Sequence, residues 1–440
     1  MTIIYIKTHG CSHNTADSET MAHYLQKAGY EISGLNANVQ EFNKDLPAQE
    51  KQLMAEADLI LYNTCTVKNP TDDKFFSKLK LQTKPVVIAG CIPQSQQREN
   101  WLKPYSAVGV NQLEAVVEVV RETLLGNVLQ RLGREKTGQR DFIPSVRKNK
   151  LIAIIPILQG CLGTCTYCKT KFARGHLKSY SQELLLRQIR EAKAQGIQEI
   201  WLSSEDNGAY GIDIGTTFPQ LLREIAKIGG NFKVRIGMLN PEYAYLYREE
   251  LATLLQKNCF YKFLHIPLQA ANDEVLKHMQ RPYTLAQYKE ALRVLKEKNP
   301  SLSIATDIIC GYPTESEEQF QETMDYMKEE NFFAINISKF YPRPGTKAAK
   351  FQLLPTEIVK ARSKLLTQWF ATVNYNTSYL GKKIQIYVTE LGKFSGTYSG
   401  RTENYTPVIV ASTEDLLGKN ILVHITATTR DDLRGKLSTI

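Results

Sequence analysis

Nowhere does the chain hold the run of ~20 apolar residues that a bilayer-spanning helix requires, so no membrane attachment is expected. A secretory leader is missing too, because Met1-Thr2-Ile3-Ile4-Tyr5 reads straight into a strand. Cysteine is scarce, at 8 in 440 residues, and six of the eight sit at strand ends or at cluster-like spacing. That usage argues against a disulfide scaffold and for a reducing, cytoplasmic setting. Acids are in short supply, 45 against 55 Lys and Arg, for a formal charge of +10. The deficit is local: from Arg131 to Arg187, twelve Lys and Arg face only Glu135, Asp141 and Glu183. Such a region fits a polyanionic substrate, or a solvated linker. A hydrophobic fraction of 42% with 23% charged residues excludes wholesale disorder, and the length implies two or three domains.

What is present centres on Gly160-Cys161-Leu162-Gly163-Thr164-Cys165-Thr166-Tyr167-Cys168-Lys169. This C-x3-C-x2-C triplet follows an apolar run and precedes a helical pattern, so a loop at a strand end can turn three soft thiolates onto one metal centre. Structural zinc wants four protein ligands, and neither a second C-x2-C nor an H-x3-5-H pair lies nearby. A cubane iron–sulfur cluster held by three Cys keeps one iron open for chemistry. Zinc stays the alternative on spacing alone.

Along the chain, strand and helix patterns alternate over residues 1–126, giving an N-terminal parallel α/β sheet domain. Cys11, Cys65 and Cys91 each come just after a predicted strand, and parallel strands bring such ends to one sheet edge. A second three-thiolate site is therefore expected there, against the simpler reading of buried, inert thiols. The helices are expected at 18–28 and 73–81, among others. Residues 127–150 read as a connector. Six β/α units follow in 151–375, fitting a partial (β/α)6, TIM-like barrel. From 376 to 440 short strands with Gly turns suggest a small β-barrel.

Strand-end polar residues of the barrel are the expected contacts for a cofactor: Ser204 and Glu205, Arg235, His265 and Gln269, Asp307 and Gly311, together with Tyr167 in the cysteine loop. Singly, each has a plain alternative as a cap, a core residue or a hydrogen-bond acceptor. Lys169, Lys171, Arg174 and Arg343, with Lys383, Lys393, Arg401 and Tyr405 of the last domain, are the expected contacts for an RNA backbone and its bases, an interaction module or a structural cap being the alternative reading of that domain. Cys259 and Cys310 lack cluster spacing and read as packed thiols.

The triplet, with an aromatic before its last Cys, resembles the signature of radical S-adenosylmethionine enzymes. The whole chain is similar to methylthiotransferases. Lys7-Thr8-His9-Gly10-Cys11-Ser12-His13-Asn14, Asn63-Thr64-Cys65-Thr66-Val67-Lys68-Asn69-Pro70, Ala89-Gly90-Cys91, Ala173-Arg174-Gly175, Ser204-Glu205-Asp206, Tyr341-Pro342-Arg343-Pro344-Gly345-Thr346 and Gly400-Arg401-Thr402-Glu403-Asn404-Tyr405 carry the likeness. The last looks like the signature of a TRAM domain, and the set looks like the archaeal and eukaryotic branch. The resemblance implies two 4Fe–4S clusters, one on Cys161, Cys165 and Cys168 that binds S-adenosylmethionine, and an auxiliary one on Cys11, Cys65 and Cys91. Tyr167 would lie beside the adenine. One S-adenosylmethionine would methylate a sulfur on the auxiliary cluster, and another would yield the radical that activates C2 of the base. The implied substrate is N6-threonylcarbamoyladenosine at position 37 of tRNA, in the anticodon stem-loop. A ferredoxin or flavodoxin and a sulfur donor are the implied partners. Isopentenyladenosine in tRNA, a ribosomal-protein aspartate, and a non-catalytic iron–sulfur RNA-binding role are the alternatives. Animal relatives add a hydrophobic C-terminal anchor; no such run is found up to Ile440, so membrane attachment is not expected to carry over.

Overall fold

A computed structural model describes residues 1–35, 46–66, 75–77, 79–133 and 142–438, with the side chains of 46 and 47 excepted. The chain divides into two compact units, Met1–Cys161 with Lys169–Glu205, and Leu162–Cys168 with Asp206–Ile440. Among the described residues no helix is long and apolar enough to cross a membrane.

In the first unit, six parallel strands lie in the order β2-β1-β3-β4-β5-β6: β1 Ile3–Thr8, β2 Glu31–Ser33, β3 Leu59–Thr64, β4 Val86–Gly90, β5 Ser106–Gly109 and β6 Gln130–Arg131. The apolar runs have no polar alternation because both faces are covered. Ile4, Ile6, Leu59, Leu61, Val87 and Ala89 pack on one side, and Tyr5, Ile60, Tyr62, Val86 and Ile88 on the other. Two features differ from the sequence expectation. The stretch read as a connector begins with β6, which pairs with β5 through Val108 and Arg131. The first helix, α1, spans Ser12–Lys27 and so starts directly behind Cys11 instead of at Ser18. Its first turns are polar yet buried, with His13, Asn14, Asp17, Ser18 and Glu19 out of water. Of the helix expected at 73–81, residues 75–77 and 79 are helical and residues 80 and 81 form a turn, while 73, 74 and 78 lie outside the described residues. The same unit holds β7 Ile152–Pro156 and β10 Glu199–Ser203, paired in parallel, and the short antiparallel pair β8 Leu158–Gln159 and β9 Lys178–Ser179.

The second unit continues the strand–helix alternation with β11 Lys233–Arg235, β12 Phe263–His265, β13 Ser303–Cys310 and β14 Ala334–Lys339. The last three form a parallel sheet in chain order. The helices between them start on capping boxes, Thr284 with Gln287 and Ser316 with Gln319, each satisfying the first free N–H groups. Strands β15 Lys383–Leu391, β16 Thr397–Arg401, β17 Pro407–Ala411, β18 Asn420–Thr428 and β19 Leu433–Leu437 close into a barrel, order β15-β16-β17-β19-β18. Closure removes free sheet edges, and Ile386, Val388, Val408, Val410, Val423, Ile425 and Leu433 fill the inside.

Candidate iron–sulfur and nucleic-acid sites

The ends of β1, β3 and β4 are neighbours, Thr8 pairing with Asn63 and Thr64 with Gly90. Cys11, Cys65 and Cys91 follow these ends, and Asn14 of α1 ties them together. Its Nδ2 donates to the carbonyls of His9 (3.1 Å) and Thr64 (2.8 Å). Its Oδ1 lies 3.7 Å from Cys11 Sγ and 3.9 Å from Cys91 Sγ. Gly10 makes the close approach of the loop possible. It sits at φ +117°, and a Cβ there would stand 2.7 Å from Cys65 Cβ. Cys65 and Cys91 are buried while Cys11 is exposed, so the site opens to solvent at Cys11.

A buried cation completes this arrangement. Arg174 ends the helix Thr170–Arg174 and is 1% exposed. Its Nη2 donates to Asp17 Oδ2 at 2.6 Å and Asn14 Oδ1 at 3.0 Å, and its Nε stands 3.4 Å from Glu205 Oε1. Glu205 also lies 3.1 Å from His13 Nδ1 and accepts the Gly160 N–H at 2.9 Å. Burial works against the charge on Glu205, but His13 and Arg174 hold its carboxyl below the usual range. Burial pushes the Cys91 thiol up to about 12, with Arg174 opposing. Metal ligation must therefore displace a firmly held proton.

Among the described residues no three His, Cys, Asp or Glu side chains already stand in metal-coordinating geometry. The donor chemistry nonetheless fits an iron–sulfur cluster: three thiols on adjacent strand ends, a glycine that makes room, and a matched buried cation.

The second thiol group belongs to the cysteine loop. In the second unit, the Cys168 N–H donates to Cys165 O at 3.1 Å. Thr166 anchors the turn, its N–H to Met279 O at 3.1 Å and its hydroxyl 2.7 Å from Tyr312 Oη. Arg281 Nη1 donates to Cys165 Sγ at 2.9 Å, a charge-assisted bond suited to a thiolate. The rest of that guanidinium is held by Tyr283 Oη (3.0 Å) and Asn240 Oδ1 (2.7 Å), and Asn240 Nδ2 donates to Asp206 Oδ2 at 2.7 Å. Burial raises Asp206 to about 6 and Glu242 to about 7. The half-buried Tyr167 has its phenol pushed well above the ordinary range by burial, with Arg281 opposing. Cys161 lies in the first unit, its N–H bonded to Gly175 O at 3.2 Å behind Gly160, whose φ is +84°.

Of the other expected cofactor contacts, three come together. His265 Nε2 is 2.8 Å from Asp307 Oδ1, and the Gln269 N–H donates to Asp307 O at 2.7 Å from a backbone φ of +76°. Gly311 makes a turn whose N–H bonds to Glu315 Oε2 at 2.8 Å. Ser204 is half-buried in the first unit. Arg235 is elsewhere. Its guanidinium lies over the rings of Phe263 (5.5 Å) and Tyr405 (5.4 Å), at the end of β11.

The expected RNA contacts also divide. Lys383 and Lys393 are exposed, and Lys171, Arg343 and Arg401 are partly so. Arg174 is buried in the thiol site, and Lys169 is buried too, so neither presents a free cation at the surface. Tyr405 is 8% exposed and packs on Tyr261 and Phe263. Arg401 lies over the Tyr405 ring at 4.9 Å and donates to Glu390 at 2.9 Å. The turn that holds Tyr405 is a docking element, with Lys262 N–H to Glu403 O at 2.8 Å. Cys310 is buried and Cys259 partly buried, as packed thiols.

Sequence reasoning missed Asn14, Asp17 and Arg281 as site residues. The signal for the first pair was there: Asn14 and Asp17 stand one turn apart behind Cys11. Arg281 follows Gln280, a non-glycine residue at φ +56°, which no sequence pattern announces.

Comparison with known proteins adds the following. Residues 155–327 match the radical SAM superfamily, residues 3–108 the uncharacterized protein family UPF0004, and residues 377–438 the TRAM domain. The chain is 42% identical over 443 residues to the threonylcarbamoyladenosine tRNA methylthiotransferase of Mus musculus, covering 98% of this chain and 74% of the mouse protein. A probable threonylcarbamoyladenosine tRNA methylthiotransferase of Pyrococcus abyssi is 37% identical over 417 residues, 93% of this chain and 94% of its own. Among solved structures, the radical S-adenosylmethionine methyltransferase TsrM from Kitasatospora setae, with cobalamin and a 4Fe–4S cluster bound, aligns at TM-score 0.57 and 15% identity over 79% of this chain and 74% of TsrM. That likeness is one of fold.

Proposed function

The chain belongs to the family of threonylcarbamoyladenosine tRNA methylthiotransferases, and from that premise we propose that it attaches a methylthio group to C2 of N6-threonylcarbamoyladenosine beside the tRNA anticodon. The observation that carries the reading is the match of 42% identity along 98% of the chain. Cys161, Cys165 and Cys168 would hold one 4Fe–4S cluster and Cys11, Cys65 and Cys91 the other. Together with S-adenosylmethionine, the bound clusters supply the sulfur, the methyl group and the electron for a 5′-deoxyadenosyl radical.

The protein's own residues do the positioning. Arg281 holds the Cys165 sulfur through its hydrogen bond, and Asn240 and Tyr283 hold Arg281. Asn14 spaces the thiols of Cys11 and Cys91. His265, Asp307 and Gln269 form the polar group we assign to S-adenosylmethionine, together with Tyr167. Lys383 and Lys393 offer exposed cations to tRNA phosphates. A ferredoxin or flavodoxin as electron donor, a separate sulfur donor and a cytoplasmic location complete the proposal.

The test is anaerobic reconstitution with iron and sulfide, then incubation with unmodified-C2 tRNA, S-adenosylmethionine and dithionite. Mass spectrometry of the nucleosides should find the 2-methylthio form of N6-threonylcarbamoyladenosine. Methylthiolation of isopentenyladenosine instead would redirect the substrate. Absence of 5′-deoxyadenosine under a competent reductant would remove the enzymatic reading.

A further inference from the structure

We propose that Arg174 is a positioning residue for the auxiliary cluster, one whose buried guanidinium sets that cluster's charge environment and so its reduction potential. The inference rests on the reading of Cys11, Cys65 and Cys91 as cluster ligands. Taking a guanidinium out of water is unfavourable unless its charge and its N–H groups are matched. Arg174 meets two carboxylates, Asp17 at 2.6 Å and Glu205 at 3.4 Å. Its hydrogen bonds are not all made: Nη1 is buried without a partner among the described residues. A buried donor left unpaired is unfavourable, so the pocket calls for a further acceptor. The Cys91 thiol lies near enough to feel the guanidinium charge. Asn14 Oδ1, 3.0 Å from the guanidinium, is the atom that also stands 3.7 Å from Cys11 Sγ and 3.9 Å from Cys91 Sγ. Helix Cys91–Ser95, which begins with one thiol, packs against the helix that ends in Arg174, with Cys91 and Ala173 in one buried cluster. Hydrogen bonds and net charge around an iron–sulfur centre govern its potential, because reduction adds a negative charge that a nearby cation stabilises.

The test uses the full chain with Cys161, Cys165 and Cys168 all changed to Ala, so that only the auxiliary centre forms on anaerobic reconstitution. Iron content, melting temperature and the midpoint from an EPR-monitored titration are read for this parent and for Arg174→Gln, Arg174→Lys and Asp17→Asn. Arg174→Gln should make reduction at least tenfold less favourable at a given potential, a fall of about 59 mV for one electron. Asp17→Asn should move the midpoint the other way, and Arg174→Lys should restore part of the loss. A midpoint that stays put, or moves in the same direction for Arg174→Gln and Asp17→Asn, overturns the proposal. So does loss of iron from all three variants in step with their melting temperatures, which assigns Arg174 to the fold alone. A parent without any iron–sulfur signal overturns the ligand reading itself, and is distinguished because it appears before any substitution at Arg174.

Discussion

Arg174 and Arg281 are both buried beside cysteine sulfur, yet they spend their charge differently. Arg174 is matched by Asp17 and Glu205 and reaches the thiols only through Asn14. Arg281 has no carboxylate on its guanidinium among its hydrogen bonds. It donates directly to Cys165 and otherwise to the neutral Asn240 and Tyr283. The carboxyls around them differ accordingly. Glu205 is held ionised, while burial pushes Asp206 to about 6 and Glu242 to about 7. One guanidinium is paired directly with carboxylates, and the other spends its hydrogen bonds on a sulfur and on neutral groups. The contrast suits two iron–sulfur centres with different tasks, and it can be broken by experiment.

The largest effect is expected from the ligands. Cys165→Ala should abolish formation of 5′-deoxyadenosine, whereas Cys65→Ala should keep that cleavage and lose the methylthiolated nucleoside. Chromatography of the reaction mixture reads both products at once, and loss of cleavage in both variants would collapse the two sites into one function. Next comes Arg281→Lys. It keeps a charge but cannot hold Cys165, Asn240 and Tyr283 together, so a fall of about 10–100-fold in 5′-deoxyadenosine formation is expected, the usual scale for a partner behind a ligand. Unchanged turnover with unchanged iron content would show that the direct bond to sulfur is dispensable.

A smaller effect sharpens the electrostatic half of the comparison. Glu242 has a folded pKa of about 7 against an ordinary 4.5. The folded state therefore holds its proton more tightly, and stability is lost as pH rises from about the ordinary value through 7. Glu242→Gln should raise the melting temperature at pH 8 by an amount worth ~1–2 kcal/mol after allowing for solvent screening, and leave it unchanged at pH 4. Glu205 has the opposite sign. Its depressed carboxyl contributes stability above the ordinary range that is lost as pH falls through its folded value, so Glu205→Gln should cost stability at pH 8 and progressively less as the pH drops below the ordinary carboxylate range.

The architecture was legible wherever burial writes a period. Strands β1, β3, β4 and β5 begin and end within a residue or two of their apolar runs, and the helix Glu317–Glu329 was readable from its periodicity to the residue. The six cysteines stood out because thiols at strand ends and at C-x3-C-x2-C spacing have few other uses. What was illegible is the polar interior. Ser12–Asp17 has the composition of a loop, and only the tertiary demand for Asn14 and Asp17 under the thiols makes it helix. Arg174 sits in a stretch rich in Lys and Arg, which reads as surface until its partners Asp17 and Glu205, distant in sequence, are brought to it. Arg235 was assigned to the cofactor by its strand-end position and Tyr405 to RNA by residue type, but an aromatic ring and a guanidinium serve packing equally well.

That last pair leads to the smallest expected effect, in the C-terminal barrel. Its arginine and its lysines repeat the contrast at the surface: Arg401 is committed to Glu390 and the Tyr405 ring, whereas Lys383 is exposed. Lys383 on β15 pairs with His424 on β18, which pairs in turn with Lys436 on β19. All three are exposed. Lys383 and Lys436 thus stand in one exposed row, and a polyanion laid across it neutralises both charges. Lys383→Ala should weaken tRNA binding a few-fold and reduce the slope of log affinity against log salt by about 1, uniformly across tRNA sequences. Arg401→Ala should leave that slope unchanged and lower the melting temperature, because its charge is already spent inside the protein. A salt slope that moves with Arg401 and not with Lys383 would place the RNA on the opposite side of the barrel, against the turn that here docks on Tyr261 and Phe263.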